Sequence, residues 1–451
     1  MENKADQTHT PRLFAGPALA FSMLALAGCF GEGIQTTVDP KSDATQIIQD
    51  LYVLVTWIDI GIFIAVFVPL IYALWRFRDK KTGEIPKQVH GNVILELTWT
   101  IVPAILLVFI AVPTWVGIFR AYSPPTDDAF KVEAIGHQWW WEFNYPNHGI
   151  VTANELHIPV HTDIVVDTFS KDVIHSIWMP KLAAKIDTLP GHVNTVWFNA
   201  REEGYYYGQC AEFCGISHAN MRFRIIVESE EKFKAWMANQ SKPPVAENAD
   251  AKAGQRLFAQ KACVACHTIK GVPGAVGVIG PNLNDLKTRT TLASGILKNT
   301  PANLARWIRN PQKIKPGALM VLPVPVNEQE ASQLAAYLLS EPGAAMAPAA
   351  APSAAMTPSG GGSDAVKGKQ AFMVNCVACH GTDPAKDGPI GPAIAGSSIE
   401  LVTARVMNGS TNFGKSYPPG YKPKRTTRMM AALPHLKGEL GNIAAYLQQA
   451  K

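Results

Sequence analysis

Gln209-Cys210-Ala211-Glu212-Phe213-Cys214-Gly215-Ile216-Ser217-His218-Ala219-Asn220-Met221 puts two thiols, an imidazole and a thioether into one short loop. The spacing is Cys210-x-Glu212-x-Cys214-x-x-x-His218-x-x-Met221. These donors together suit copper, a soft metal that accepts trigonal sites with a weak axial thioether. Two thiolates can also bridge two metals. A second metal then needs one more imidazole, and Asp172-Val173-Ile174-His175-Ser176 supplies it from upstream. A structural zinc site would use the cysteines and histidines but leave Met221 without a role.

The sequence around this loop is β-prone. Across 130–228, runs such as Ile164–Phe169, Thr195–Phe198 and Phe223–Val227 alternate with Gly, Pro and Asn turns, which predicts a β-sandwich or barrel. We place this unit at 125–238. A polar stretch, 239–250, with Pro243-Pro244 follows it.

Further downstream, Cys263-Val264-Ala265-Cys266-His267 and Cys376-Val377-Ala378-Cys379-His380 are two C-x-x-C-H haem-attachment motifs. In each, the cysteines form thioethers to the porphyrin and the adjacent histidine lies under the iron. The motifs belong to a repeat. Ala-Gly-Gln-Arg-Leu-Phe precedes Cys263 and Lys-Gly-Lys-Gln-Ala-Phe precedes Cys376; Gly280-Pro281 answers Gly391-Pro392, and Ala-Ala-Tyr-Leu occurs at 335–338 and 444–447. Two small helical units are expected, at 249–341 and 364–451. The Ala/Pro/Gly/Ser-rich stretch 342–363 between them has the composition of a mobile tether. A downstream methionine commonly completes the iron. Met320, in Lys315-Pro316-Gly317-Ala318-Leu319-Met320, is the candidate in the first unit. In the second, Met430 is favoured from Met430-Ala431-Ala432-Leu433, with Met429 as the alternative and Met407 read as helix packing. The basic run Lys422, Lys424, Arg425 and Arg428 beside it is either a solvated face or a surface that steers an acidic donor.

Upstream of the β-rich unit, Leu51–Trp75 and Leu97–Phe119 are nearly uninterrupted apolar stretches, each able to supply the ~20 residues of a spanning helix. Together they form a hairpin at 45–120. Arg76, Arg78, Lys80, Lys81 and Lys87 lie between them, so that loop belongs on the cytoplasmic side and all that follows residue 120 on the other. Asp59, inside the first stretch, is expected to face a protein partner. Residues 1–28 read as a lipoprotein-type signal peptide, with Leu26-Ala27-Gly28 leading to Cys29 as the lipidated residue.

The seven cysteines are thereby all used, which leaves none for a structural disulfide. A net charge of +5 over 451 residues, with no basic stripe interleaved with aromatics, argues against nucleic acid as a partner. The length has room for about three domains of ~100–200 residues.

Residues 45–230 resemble subunit II of haem–copper cytochrome c oxidases, in the helix pair, in Gly136-His137-Gln138-Trp139-Trp140-Trp141, in the His175 segment and in the copper loop. With two haem units attached, the chain looks like a caa-type subunit II with a dihaem extension. The resemblance implies that Cys210 and Cys214 bridge two coppers and that His175 and His218 each cap one. Met221 and the backbone carbonyl of Glu212 would be weak axial ligands. It further implies a magnesium ion reached by the Glu212 carboxylate, and Trp139 as the aromatic residue at which electrons come in. Glu96 would sit at the mouth of a proton pathway, or else be an interfacial charge. Asn144 stands where members that dock a separate cytochrome often carry an acid.

The expected architecture is therefore a transmembrane α-helical hairpin, a cupredoxin-like β-barrel and two all-α cytochrome c domains. The implied role is to carry electrons to an oxygen-reducing subunit I, with subunit III as a further partner and cytochrome c or another membrane donor as the source. The implied location is the bacterial inner membrane, with the metal domains periplasmic. Two other classes compete: the copper-bearing subunit of a nitric oxide reductase, and a free-standing membrane redox shuttle. A nitrous oxide reductase is disfavoured, because the chain has no room for its large histidine-rich propeller.

Overall fold

The computed structural model describes residues 33–78, 88, 90–123, 128–240, 242–284, 286–322, 324–343, 365–376, 380, 383–387, 392–408 and 434–450. Cys29, Cys379, Met429 and Met430 lie outside the described residues. So do the proposed signal segment, Lys80, Lys81, Lys87, most of the 342–363 stretch and the basic run at 422–428.

Two long helices come first, α1 (Asp43–Arg76) and α2 (Val93–Tyr122). Both are apolar enough to cross a membrane, and neither has its apolar stretch buried inside the molecule. α1 starts eight residues before the apolar stretch does, because Ser42 caps it at the surface of the β-rich domain. Its first turn is fixed there: Ala44 and Thr45 are buried, and Arg201 donates to Asp43 at 2.6 Å. Pro69, Pro103 and Pro113 lie inside the two helices. Transmembrane helices tolerate such breaks because their neighbours satisfy the freed backbone groups. Asp59 is exposed on α1.

Ten strands follow: β1 (Phe130–His137), β2 (Trp140–Tyr145), β3 (Ile150–Ala153), β4 (Glu155–Pro159), β5 (Ile164–Ser170), β6 (His175–Met179), β7 (Ala183–Thr188), β8 (Asn194–Phe198), β9 (Gly204–Cys210) and β10 (Arg222–Glu228). They make two five-stranded sheets, ordered β3-β2-β1-β5-β8 and β4-β10-β9-β6-β7. The choice between sandwich and barrel thus falls to the sandwich. The strands keep a period-2 pattern: β5 alternates buried and half-buried residues along its length. Trp141, Phe143, Tyr145, Phe198 and Phe223 fill the space between the sheets. Helix α3 (Glu230–Asn239) closes one end by burying Phe233 and Trp236.

The first helical unit contains α4 (Ala249–Gln260), β11 (Thr291–Leu292), β12 (Leu297–Lys298), α5 (Pro301–Arg309), α6 (Pro311–Ile314) and α7 (Glu328–Leu338). The second contains α8 (Ala365–Asn375), α9 (Ile399–Asn408) and α10 (Leu440–Gln449). The repeat seen in the sequence is one of packing. Gly254 of α4 lies so close to α7 that a Cβ there would come within 2.0 Å of the Gln333 carbonyl, and a Cβ on Gly368 of α8 would meet the Asn442 carbonyl of α10 at 1.8 Å. A glycine is what allows each first helix to touch its last. Phe258 then packs on Tyr337 at 6.0 Å and Phe372 on Tyr446 at 5.3 Å. Burying a side chain such as Phe258 contributes about 1.5–3 kcal/mol. Met407 packs against the core of the second unit. Helix α8 also touches the short turn Cys263–Ala265 of the first unit.

Candidate metal and haem centres

The loop Cys210–Met221 leaves β9 and returns at β10. Its ends are joined by a hydrogen bond from Cys210 N–H to the Met221 carbonyl at 2.9 Å. β9 pairs with β6 through Ile177 and Cys210, and Ala211 N–H donates to the Ser176 carbonyl at 2.9 Å. This register is why His175, distant in sequence, reaches the loop.

The two thiol sulfurs are 3.7 Å apart. His175 Nδ1 stands 3.9 Å from Cys210 Sγ, and His218 Nδ1 stands 3.5 Å from Cys214 Sγ. Met221 Sδ is 3.9 Å from Cys214 Sγ, and the Glu212 carbonyl is 3.2 Å from Cys210 Sγ. All six groups named from the sequence therefore converge. His175, Cys210 and Cys214 are buried and lie close enough together to share one ion.

The electrostatics also suit a cation. The hydrogen bond from Cys214 draws the Cys210 thiol down to about 3, against the cost of burial, while the same contact drives Cys214 upward. One negative charge is thus easily held, and a second needs a metal to displace the remaining proton.

Asp172 was quoted in the sequence motif without a role. Its Oδ1 accepts from His175 Nε2 at 2.7 Å, which fixes the ring with Nδ1 toward the sulfurs. Burial opposes the charged form of Asp172. The bond from His175 and the amides of Gln138 and Val173 outweigh it and hold the carboxyl below its ordinary value.

The first haem motif opens on a cavity that is continuous with solvent. Cys263, Cys266, His267 and Met320 line it, together with Trp139 and Trp140 of the β-rich domain. His267 Nδ1 donates to the Pro281 carbonyl at 2.7 Å, leaving Nε2 as the free ligand atom. Burial pushes this imidazole below its ordinary value, so it stays neutral, as an iron ligand must. The second unit repeats the contact, with His380 Nδ1 donating to the Pro392 carbonyl at 2.9 Å. These residues fit a c-type haem, and the buried thiol–imidazole–thioether set fits copper.

Trp139 joins the two sites. Its indole Nε1 donates to the Cys214 carbonyl at 2.9 Å, and the side chain is buried. Trp141 belongs to the core, whereas Trp140 is half-buried and stacks on His137 at 4.2 Å. Asn144 Nδ2 donates to Glu133 at 3.2 Å within the same sheet. Glu96 is not brought to the metal site: it sits exposed in the first turn of α2.

Two contacts between the haem unit and the β-rich domain had no sequence signal. Glu155 Oε1 accepts four bonds, from the backbone and hydroxyl of Thr290 at 2.8 and 2.6 Å and of Thr291 at 3.0 and 3.2 Å. Lys315 donates to the Trp139 carbonyl. A glutamate at the start of a strand and a lysine before Pro-Gly both read as ordinary surface residues.

Comparison with known proteins gives the same sections in the same order. Residues 30–116 match the cytochrome c oxidase subunit II transmembrane domain and 149–230 its periplasmic domain, while 251–341 and 365–451 each match cytochrome c. Cytochrome c oxidase subunit 2 of Alkalihalophilus pseudofirmus is 39% identical over 330 residues, covering 71% of this chain and 95% of the relative. The Bacillus subtilis protein of the same name is 34% identical over 340 residues, covering 71% and 95%. The periplasmic domain of subunit II (CoxB) of Bradyrhizobium japonicum is 34% identical, covering 26% of this chain and 94% of that domain, with a TM-score of 0.25. With relatives matched over nearly their whole length, the chain belongs to the cytochrome c oxidase subunit II family, as an electron-transfer component of a haem–copper oxidase.

Proposed function

We propose that this subunit receives electrons from a separate donor at its second haem unit and passes them through the first haem and a binuclear copper centre to subunit I. The bound haems and coppers supply reversible one-electron chemistry. The protein's part is to hold them in order. Cys210, Cys214, His175 and His218 would hold the coppers, and Met221 and the Glu212 carbonyl would tune them as weak donors. Cys263, Cys266, His267 and Met320 hold the first haem; Cys376, Cys379, His380 and Met430 hold the second. Trp139 is the group across which electrons reach the copper.

One observation carries this reading. Trp139 lines the cavity that Cys263, His267 and Met320 also line, and its indole bonds directly to Cys214. Trp139 thus reaches from the haem cavity to the copper loop. The contact of α8 with the Cys263–Ala265 turn supports the order of the two haem units.

As a subunit II, the chain works against a subunit I, where oxygen is reduced. The proposal extends to subunit III, to cytochrome c or another membrane-bound donor, and to magnesium at the Glu212 carboxylate. Glu96, at the opposite end of α2 from the copper domain, is placed to admit protons from the cytoplasmic side. The hairpin sets the chain in a bacterial inner membrane with copper and haem on the periplasmic face, and Cys29 carries lipid.

Trp139→Ala tests the route. It should leave the copper and haem spectra in place and slow copper reduction by at least about tenfold, a loss of roughly 1.4 kcal/mol in barrier terms. An unchanged rate in a fully metallated variant would remove Trp139 from the path.

A further inference from the structure

Lys315 is the most unusual charge outside the metal centres. It stands five residues before Met320 on the haem-ligand loop, yet it is only 3% exposed. Its ammonium donates to the Trp139 carbonyl and, at 2.8 Å, to Ser294 Oγ. Ser294 Oγ in turn donates to the same Trp139 carbonyl at 3.0 Å. Trp139 is therefore gripped at both ends, its carbonyl by the haem unit and its indole by the copper loop. The surrounding backbone is closely fitted. Gly317 has φ +80°, and a Cβ there would come within 2.9 Å of the Trp139 ring and 2.5 Å of Ile216. Ser217 of the copper loop donates to the Pro316 carbonyl.

We propose that Lys315 is a positioning residue for electron transfer, clasping Trp139 so that the Met320 loop and the copper loop stay in register across it. The proposal rests on the route argued above.

A buried lysine is a costly choice for a hydrogen bond that a serine already makes. Here it does what serine alone cannot, since it reaches from the ligand loop itself. Burial lowers its pKa to about 7, and the Cys214 thiol opposes that shift. The other charged or titratable groups on the cavity it lines are Lys261, Cys263, Cys266, His267 and Arg289, all of the haem unit. The sign of the pH effect follows. Undocked, the lysine would titrate near its ordinary 10.5; docked, near 7. Docking then releases a proton between those values, so the clasp tightens as pH rises through that window and is constant below it.

The test uses the full metallated complex. Electrons are injected photochemically into the c-type haems, and copper reduction is followed in wild type, Lys315→Met and Lys315→Gln. Lys315→Met should slow the step by about tenfold with copper and haem spectra intact. Lys315→Gln keeps an N–H donor and should recover most of the rate. Protection of amides 290–294, that is, exchange relative to its base-catalysed intrinsic rate, should rise with pH above about 7 in wild type, and this rise should vanish in both variants. A wild-type rate in fully loaded Lys315→Met overturns the proposal. So does a wild-type protection at 290–294 that does not change with pH, a result that needs no variant to fold. Wild-type protein lacking copper and haem iron would instead sink the assignment of the sites, and the clasp with it.

Discussion

His175 presents Nδ1 to the thiol sulfurs because Asp172 takes the proton on its other nitrogen, 2.7 Å away. The carboxylate also accepts from Gln138 N–H at 2.6 Å, so it ties the residue before Trp139 to the copper ligand. Asp172→Asn keeps the size of the side chain and removes its charge. Loss of such an outer partner typically weakens metal binding about 10–100-fold. Copper titration of the variant against wild type should show a loss in that range with the helical and β content unchanged. Equal affinity would mean that the ring is held by packing alone. At this scale much was legible from the sequence. Two thiols four apart, an imidazole and a thioether admit few other readings, and C-x-x-C-H nearly names its cofactor. The role of Asp172 lies in a rotamer, set against His175, that a sequence does not display.

Among elements, the informative contact is that of β4 with the segment entering β11. Glu155 is buried and its Oε1 takes four hydrogen bonds from Thr290 and Thr291. On its other side His157 bridges toward Glu228, with Nδ1 3.0 Å from Glu228 Oε2, and stacks on Trp236 at 4.2 Å. The contact thus runs from the helix that closes the sandwich to the haem unit. Glu155→Ala leaves the Thr290 and Thr291 amides without their acceptor, a loss of about 1–3 kcal/mol for each group left buried and unpaired. Hydrogen exchange should then speed up at 290–291 while the copper loop stays protected. Unchanged exchange there would show that other contacts hold the haem unit. The strands themselves were legible from alternation, and Ile164–Phe169 became β5 with one residue added. The joint between domains was not, since a strand that buries a carboxylate under a neighbour has the same pattern as one that buries it nowhere. The repeat was legible as words such as Ala-Ala-Tyr-Leu. Its meaning, a glycine on one helix meeting a carbonyl on another, came only with the packing.

For the whole molecule, the sequence order becomes a spatial order. The hairpin rises from the base of the β-sandwich, the copper loop faces the first haem cavity across Trp139, and α8 of the second unit touches the first unit at its haem-attachment turn. The β-rich domain and the first haem unit are joined by buried polar contacts rather than by a tether, which on the proposed route would hold the first haem fixed relative to the copper loop. On the proposed route the second unit should be the one to meet the external donor. Anaerobic stopped-flow mixing of the complete oxidised complex with its reduced natural donor tests this most directly, with the c-type haem and copper absorbances followed together. The account predicts that haem absorbance changes first and copper follows, and that truncation after Pro342 slows the haem phase with the natural donor more than with a small artificial reductant. Copper that is reduced while both haems are still oxidised, or a truncated chain that accepts electrons from the natural donor at the full rate, would contradict it.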